Sequence, residues 1–112
     1  MLDDDVIRIR HMLDASNEAM FFYRGKNRRD LNADRMLALS IIKLIEIIGE
    51  GASGVSSEFR QRHTDIPWQD IVSMRNRLIH AYFDIDLDRV WDTMIEDLPR
   101  LASDLQRILE SS

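Results

Sequence analysis

Seven apolar residues in the last third of the chain constrain its fold most strongly. Leu87, Trp91, Met94, Leu98, Leu101, Leu105 and Ile108 step by 4, 3, 4, 3, 4 and 3 positions. Three heptads at this spacing place one apolar seam along a helix, and other helices are what cover such a seam. We read it as the core-facing stripe of a bundle rather than as a dedicated coiled coil. Asp86 stands where an N-cap belongs. Pro99 lies inside the helix and is expected to kink it, because its ring clashes with the carbonyl four residues back.

The remaining segments follow the same period. Val6, Ile9, Leu13, Met20 and Phe21 fall near one face of a first helix, from about Asp4 to Arg24. The Asp3-Asp4-Asp5 run suits the positive end of a helix dipole, and Gly25 suits a C-terminal stop. The basic stretch RGKNRRD then reads as a loop. A long second helix starts near Asp30 or Asn32 and carries Leu37, Ile41, Leu44, Ile45, Ile48, Ala52, Val55 and Phe59. A third starts at Pro67, with Thr64 or Asp65 as its cap, and ends between His80 and Phe83. No segment reads convincingly as a strand. Short connections make neighbouring helices antiparallel. The expected architecture is all-α: an up-and-down bundle of four to five helices in a single domain spanning residues 1–112. A chain of this size buries only about 65% of its unfolded surface, so burial against a partner would help it.

Composition narrows the function. With no cysteine, a disulfide framework, a thiolate metal site and a cysteine nucleophile are all excluded, and the sequence fits a reducing cytoplasm. The opening MLDDDVIRIR is acidic where a secretion signal is basic. The apolar run from Ile41 to Ile48 is interrupted by Lys43 and Glu46, so no membrane span is expected. The net charge of -5 is uneven: residues 1–83 are neutral, and residues 84–112 hold 8 acidic against 3 basic side chains. Such a chain does not coat nucleic acid indiscriminately. It keeps room for a local anion-binding surface, for which Arg24, Lys26, Arg28 and Arg29 are one candidate. No aromatic side chains interleave that loop for base stacking, so a solvated loop is the preferred reading.

GEGASG at residues 49–54 matches the G-x-G-x-x-G phosphate fingerprint. That motif needs a second parallel strand about twenty residues on. QRHTDIPWQD follows instead, and Lys43 and Glu46 suit a helix face. We therefore read Gly49, Ala52 and Ser53 as small residues that allow close helix packing.

The chemically informative stretch is MRNRLIHAYF, residues 74–83. Arg75 supplies a permanent, planar cation that matches phosphate oxygens. His80 is the side chain best suited to proton transfer near neutral pH. A proton shuttle and a cation for developing charge are what phosphodiester cleavage needs. On one ideal helix Arg75 and His80 would lie about 140° apart, whereas Asn76 and His80 would share a face. Either the helix loosens near His80 or a second chain completes the site. The same residues also have structural uses: His80 as a dipole partner, Arg75 and Arg77 as ion-pair partners of Asp70 or Asp84, and Tyr82 as a capping aromatic.

The segment Arg75-Asn76-Arg77-Leu78-Ile79-His80-Ala81-Tyr82 resembles the Arg-x-x-x-x-His-x-Tyr signature of the HEPN superfamily, and specifically that of HepT, the toxin half of HEPN/MNT toxin–antitoxin modules. IEIIGE at 45–50, IPWQDIVSMRN at 66–76 and VWDTMIEDLP at 90–99 are similar to that family too. The likeness is close over residues 36–109; the first helix fits by position and pattern. It implies a helical homodimer with the motif helices at the interface, and metal-independent endoribonuclease activity without a cofactor. His80 would act as general acid or base, Arg75 would stabilise the phosphate, and Asn76 would orient the phosphate or the histidine. It also implies a nucleotidyltransferase (MNT) antitoxin that silences the site by adding AMP to Tyr82. A non-catalytic HEPN module that binds a nucleotidyltransferase or nucleic acid through Arg75 and His80 is the alternative. His11 and His63 read as surface or structural residues, and the Glu46/Glu50 pair as a solvated face.

Overall fold

The computed structural model describes residues 3–81 and 83–111. Its elements are α1 (Asp3–Tyr23), α2 (Arg28–Ala33), α3 (Arg35–Gly54), α4 (Ser57–Arg62), α5 (Trp68–Val72), α6 (Met74–Leu78), β1 (Ile79–Ala81), β2 (Asp84–Ile85), α7 (Leu87–Asp92), a π-helical turn (Thr93–Asp97) and α8 (Leu98–Glu110). The architecture is nearly all-α. The exception is β1 and β2, a two-stranded antiparallel hairpin that corrects the strand-free reading.

α1 packs on α3 and α8, while α3 also meets α2, α5 and α6. Gly25 ends α1 at φ +74, a backbone that glycine adopts at no steric cost. The buried face of α1 is Ile9, Met12, Leu13, Ala15, Ser16 and Ala19, and Phe21 is 64% exposed. Phe21 is therefore not a core residue; the Arg24 guanidinium sits over its ring. In the last turns of α3, a Cβ on Gly51 would lie 2.6 Å from Met12 Cγ, and one on Gly54 would overlap the Arg8 guanidinium. Small residues do permit the close approach of α1 to α3, chiefly Gly51, with Ala52 buried beside it; at Gly54 only the movable end of the exposed Arg8 side chain stands in the way. Ser53 is exposed, and a Cβ on Gly49 would make only ordinary contact. GEGASG is helical throughout.

The long second helix is three helices, and polar caps make the breaks. Asp34 ends α2 with its own N–H and caps α3 through its side chain, which accepts from Leu37 N. Ser56 Oγ accepts from Phe59 N at the start of α4, while Ser56 N and Oγ donate to the buried Asp5 carboxylate at 2.8 and 2.7 Å. Asp5 thus ties α1 to α4. Neither Thr64 nor Asp65 caps α5: its N-cap is Pro67, without a side-chain bond. Asp86 does cap α7, accepting from Arg89 N.

Helix α7 continues into α8 through the π turn, and Pro99 explains it. Leu98 N–H bonds back five residues to Thr93 O instead of four to Met94 O. The next residue, Pro99, has no N–H to give. The Met94 carbonyl is left without an intrahelical partner, and the Tyr23 hydroxyl donates to it at 2.9 Å. A π turn absorbs the proline that would otherwise clash. On this continuous path Met94, Leu98, Leu101, Leu105 and Ile108 are buried and Trp91 partly so, which places the heptad stripe in the core.

Burial raises the Tyr23 pKa above its ordinary value of 10.0. The folded state therefore holds the phenolic proton more tightly than the unfolded state. Its contribution is complete below pH 10.0 and is lost as pH rises through the folded value. Tyr23→Phe should lower stability by about 1–3 kcal/mol, the range for an orphaned buried acceptor. It should also flatten the alkaline fall. Urea unfolding across alkaline pH checks both; unchanged stability would contradict the role given to this bond.

Candidate functional site

Helix α6 stops between Arg75 and His80, the two residues the sequence singles out. Ile79 leaves helical geometry at φ −126, ψ 105, although its N–H still reaches Arg75 O. Strand β1 begins there and pairs Ile79 with Ile85 and Ala81 with Asp84, and Asp86 N donates to Leu78 O at 2.8 Å. Leu78 and Ile79 enter the core at 3% and 6% exposure, so burial of two consecutive aliphatics fixes the transition. Strand alternation then turns His80 outward.

The consequences for the motif are direct. Arg75 and Asn76 sit on α6 and are exposed; His80 is exposed on β1. Helical phase no longer separates Arg75 from His80, as a loosening helix requires. Asn76 and His80 do not share a helical face, because the helix ends at Leu78. Tyr82 lies outside the described residues.

Arg75 pairs with neither Asp70 nor Asp84. Its Nε donates to Glu46 Oε1 on α3 at 3.0 Å. The other Glu46 oxygen lies 4.0 Å from Lys43 Nζ. This pair forms a wall common to two open grooves of about 210 Å³ each. One is continued by Gly49, Glu50, Ser53 and Val72. The other is continued by Leu39, Ile42, Lys43, Ile79 and Ile85. Glu46, read from the sequence as a solvated face, lies against Arg75. The signal available was its place in the IEIIGE segment; the contact itself spans 29 positions and has no local signature.

Arg77 diverges from Arg75, as residues two apart on a helix must. It donates to the Asp70 carbonyl at 2.9 Å and lines a different cavity, against α8. Arg28 and Arg29, read from the sequence as loop, open helix α2 behind the Asn27 cap, and Arg28 is engaged with Asp88 at 2.7 Å and with Asn32. His63 lies against the Phe59 ring, and its carbonyl accepts from Trp68 Nε1. Met36, Leu39 and Phe83 are 80%, 44% and 82% exposed, and Leu39 and Phe83 line one groove. Among the described residues no helix is long and apolar enough to cross a membrane, and no three His, Asp or Glu side chains are grouped to hold a metal.

The family profile described as ribonuclease HepT-like matches residues 12–108. The chain belongs to the HepT-like family of the HEPN superfamily. A Thermococcus cleftensis protein named "Probable ribonuclease HepT" is 35% identical over 79 residues, 70% of this chain and 72% of that one. A Caldanaerobacter subterraneus protein named "Putative RNase TTE0752" is 30% identical over 102 residues, 91% of each chain. A Methanocaldococcus jannaschii protein named "Putative RNase MJ1380" is 30% identical over 95 residues, 85% of this chain and 87% of that one. No solved structure gives a significant match. In this HepT-like chain the signature straddles a helix-to-strand junction, with its arginine on α6 and its histidine on β1.

The Arg75 and Glu46 side chains are 50% and 26% exposed. Exposed pairs contribute about 0–1 kcal/mol. Glu46→Gln and Arg75→Lys should each change unfolding free energy by less than about 1 kcal/mol. Urea denaturation measures this; a loss of several kcal/mol would make the pair a structural strut.

Proposed function

We propose that this protein is a HEPN-type endoribonuclease, a single-domain cytoplasmic toxin that cleaves RNA without a metal ion. The observation that carries the reading is the junction after Leu78, which takes His80 out of the helical phase of Arg75 while both remain exposed. The names of the relatives support RNA as substrate.

In this mechanism His80 removes the proton from a ribose 2′-hydroxyl, and that oxygen attacks the adjacent phosphorus. The bond from phosphorus to the 5′-oxygen breaks, and a proton returned by an imidazolium completes the leaving group. Arg75 offsets the charge that builds on the phosphate oxygens. Asn76, next along α6, orients the phosphate or the imidazole. The products are a 2′,3′-cyclic phosphate and a 5′-hydroxyl. Two copies pair through the surface beside the motif, where the exposed Leu39 and Phe83 line one groove.

An MNT-type nucleotidyltransferase antitoxin silences the enzyme by AMPylating Tyr82. Tyr82 is two positions from His80. A bulky anion added so near the motif in sequence would oppose an anionic substrate and offset the charge of Arg75.

Purified protein is expected to cleave bulk RNA with EDTA present. His80→Ala should reduce the rate by about a hundredfold or more, and Arg75→Ala by about a hundred- to a thousandfold, with helical circular dichroism unchanged. Full activity in His80→Ala would sink the mechanism. Wild-type protein that binds RNA or a nucleotidyltransferase without cutting would point to the binding module instead.

A further inference from the structure

We propose that Glu46 is the positioning residue for Arg75, a role that rests on the ribonuclease reading above. An arginine side chain is rich in rotamers, and an unrestrained guanidinium would give up that freedom on each phosphate contact. Arg75 stands on a helix of only five residues. Glu46, by contrast, projects from a helix of 20 residues between Ile45, which is fully buried, and Ile47, which packs on the core. It is also the less exposed member of the pair, at 26% against 50%. The anchor is thus on the rigid element and the cation on the short one.

The atoms used decide between positioning and blocking. Glu46 Oε1 takes the Nε–H of Arg75 at 3.0 Å, a single bond at the inner edge of the guanidinium. The outer edge, with the two terminal nitrogens, is the edge that binds a phosphate bidentately, and this contact leaves it uncommitted. A carboxylate acting as a lock would grip that outer edge. Charge points the same way. Lys43 Nζ lies 4.0 Å from Glu46 Oε2, so the groove lined by Lys43, Glu46 and Arg75 keeps a net positive charge for an anionic substrate, whereas Glu50 leaves the other groove net negative. The pair walls both grooves beside the motif, and an RNA strand following the Lys43 side passes the aligned cation.

The test is RNA cleavage by wild type, Glu46→Ala, Glu46→Gln, Arg75→Ala and the Glu46→Ala/Arg75→Ala double variant. Glu46→Ala is expected to lower kcat by about two- to fivefold, the most by which a pair this exposed can favour one arrangement of Arg75, with KM unchanged. Glu46→Gln keeps the acceptor oxygen and should restore most of kcat. The double variant should be no slower than Arg75→Ala, because Glu46 acts only through Arg75. Glu46→Ala with a lower KM and equal or greater kcat would overturn the proposal and make Glu46 a competitor of the substrate. A further loss in the Arg75→Ala background would overturn it as well. A wild type that does not cleave overturns the ribonuclease reading and this role together, whereas a cleaving wild type with an indifferent Glu46→Ala overturns the role alone.

Discussion

The arrangement of this molecule depends on how closely α1 can approach α3. At Gly51 the two helices leave no room for a Cβ, which would sit 2.6 Å from Met12 Cγ. That contact commits one phase of α3 to α1. Residue 46 lies about 140° round the helix from residue 51, so its side chain faces the surface that α6 covers. The polar positions Lys43 and Glu46 interrupt the isoleucine run because α3 needs a polar phase there. Arg75, arriving on α6, finds a carboxylate already in place. The packing that stabilises the core is thereby the packing that presents the cation.

Two irregularities follow from the same accounting of backbone groups. The helix carrying Arg75 must end for His80 to escape its phase, and it ends where Leu78 and Ile79 are both drawn into the core and the β1–β2 pairing takes over the hydrogen bonds. The helix carrying the heptad stripe must not end, although Pro99 removes a donor from it. There a π turn keeps the path continuous, and the Tyr23 hydroxyl meets the carbonyl that loses its partner. In each case a side chain or a strand supplies what the helix gives up.

Much of this was legible in the sequence. Heptad spacing placed the last helix and its core residues, Asp86 marked its start, Gly25 marked the end of the first, and the failed context of GEGASG left it helical. The Arg75 and His80 motif was visible as a signature, and its helical geometry called for either a loosened helix or a second chain. What was hidden had physical reasons. A strand of three residues is shorter than any period can reveal. The breaks at Asp34 and Val55 interrupt an apolar pattern that does not itself falter, because capping by Asp34 and the Asp5 to Ser56 clasp end the helices without changing hydrophobicity. Phe21 misled because its position near the apolar face overrode the phase of the residues actually buried. Glu46 was hidden most completely: a carboxylate on a helix surface looks the same whether it faces water or an arginine 29 residues away.

The central claim is that His80 and Arg75 direct an attack by the ribose 2′-hydroxyl. The chemical identity of the cut ends reports this directly. RNA cut by the wild-type protein in EDTA should carry 2′,3′-cyclic phosphate and 5′-hydroxyl ends, and RNA incubated with His80→Ala should gain neither. Fragments bearing 3′-hydroxyl and 5′-phosphate ends would contradict the account, since water rather than the 2′-hydroxyl would then be the nucleophile.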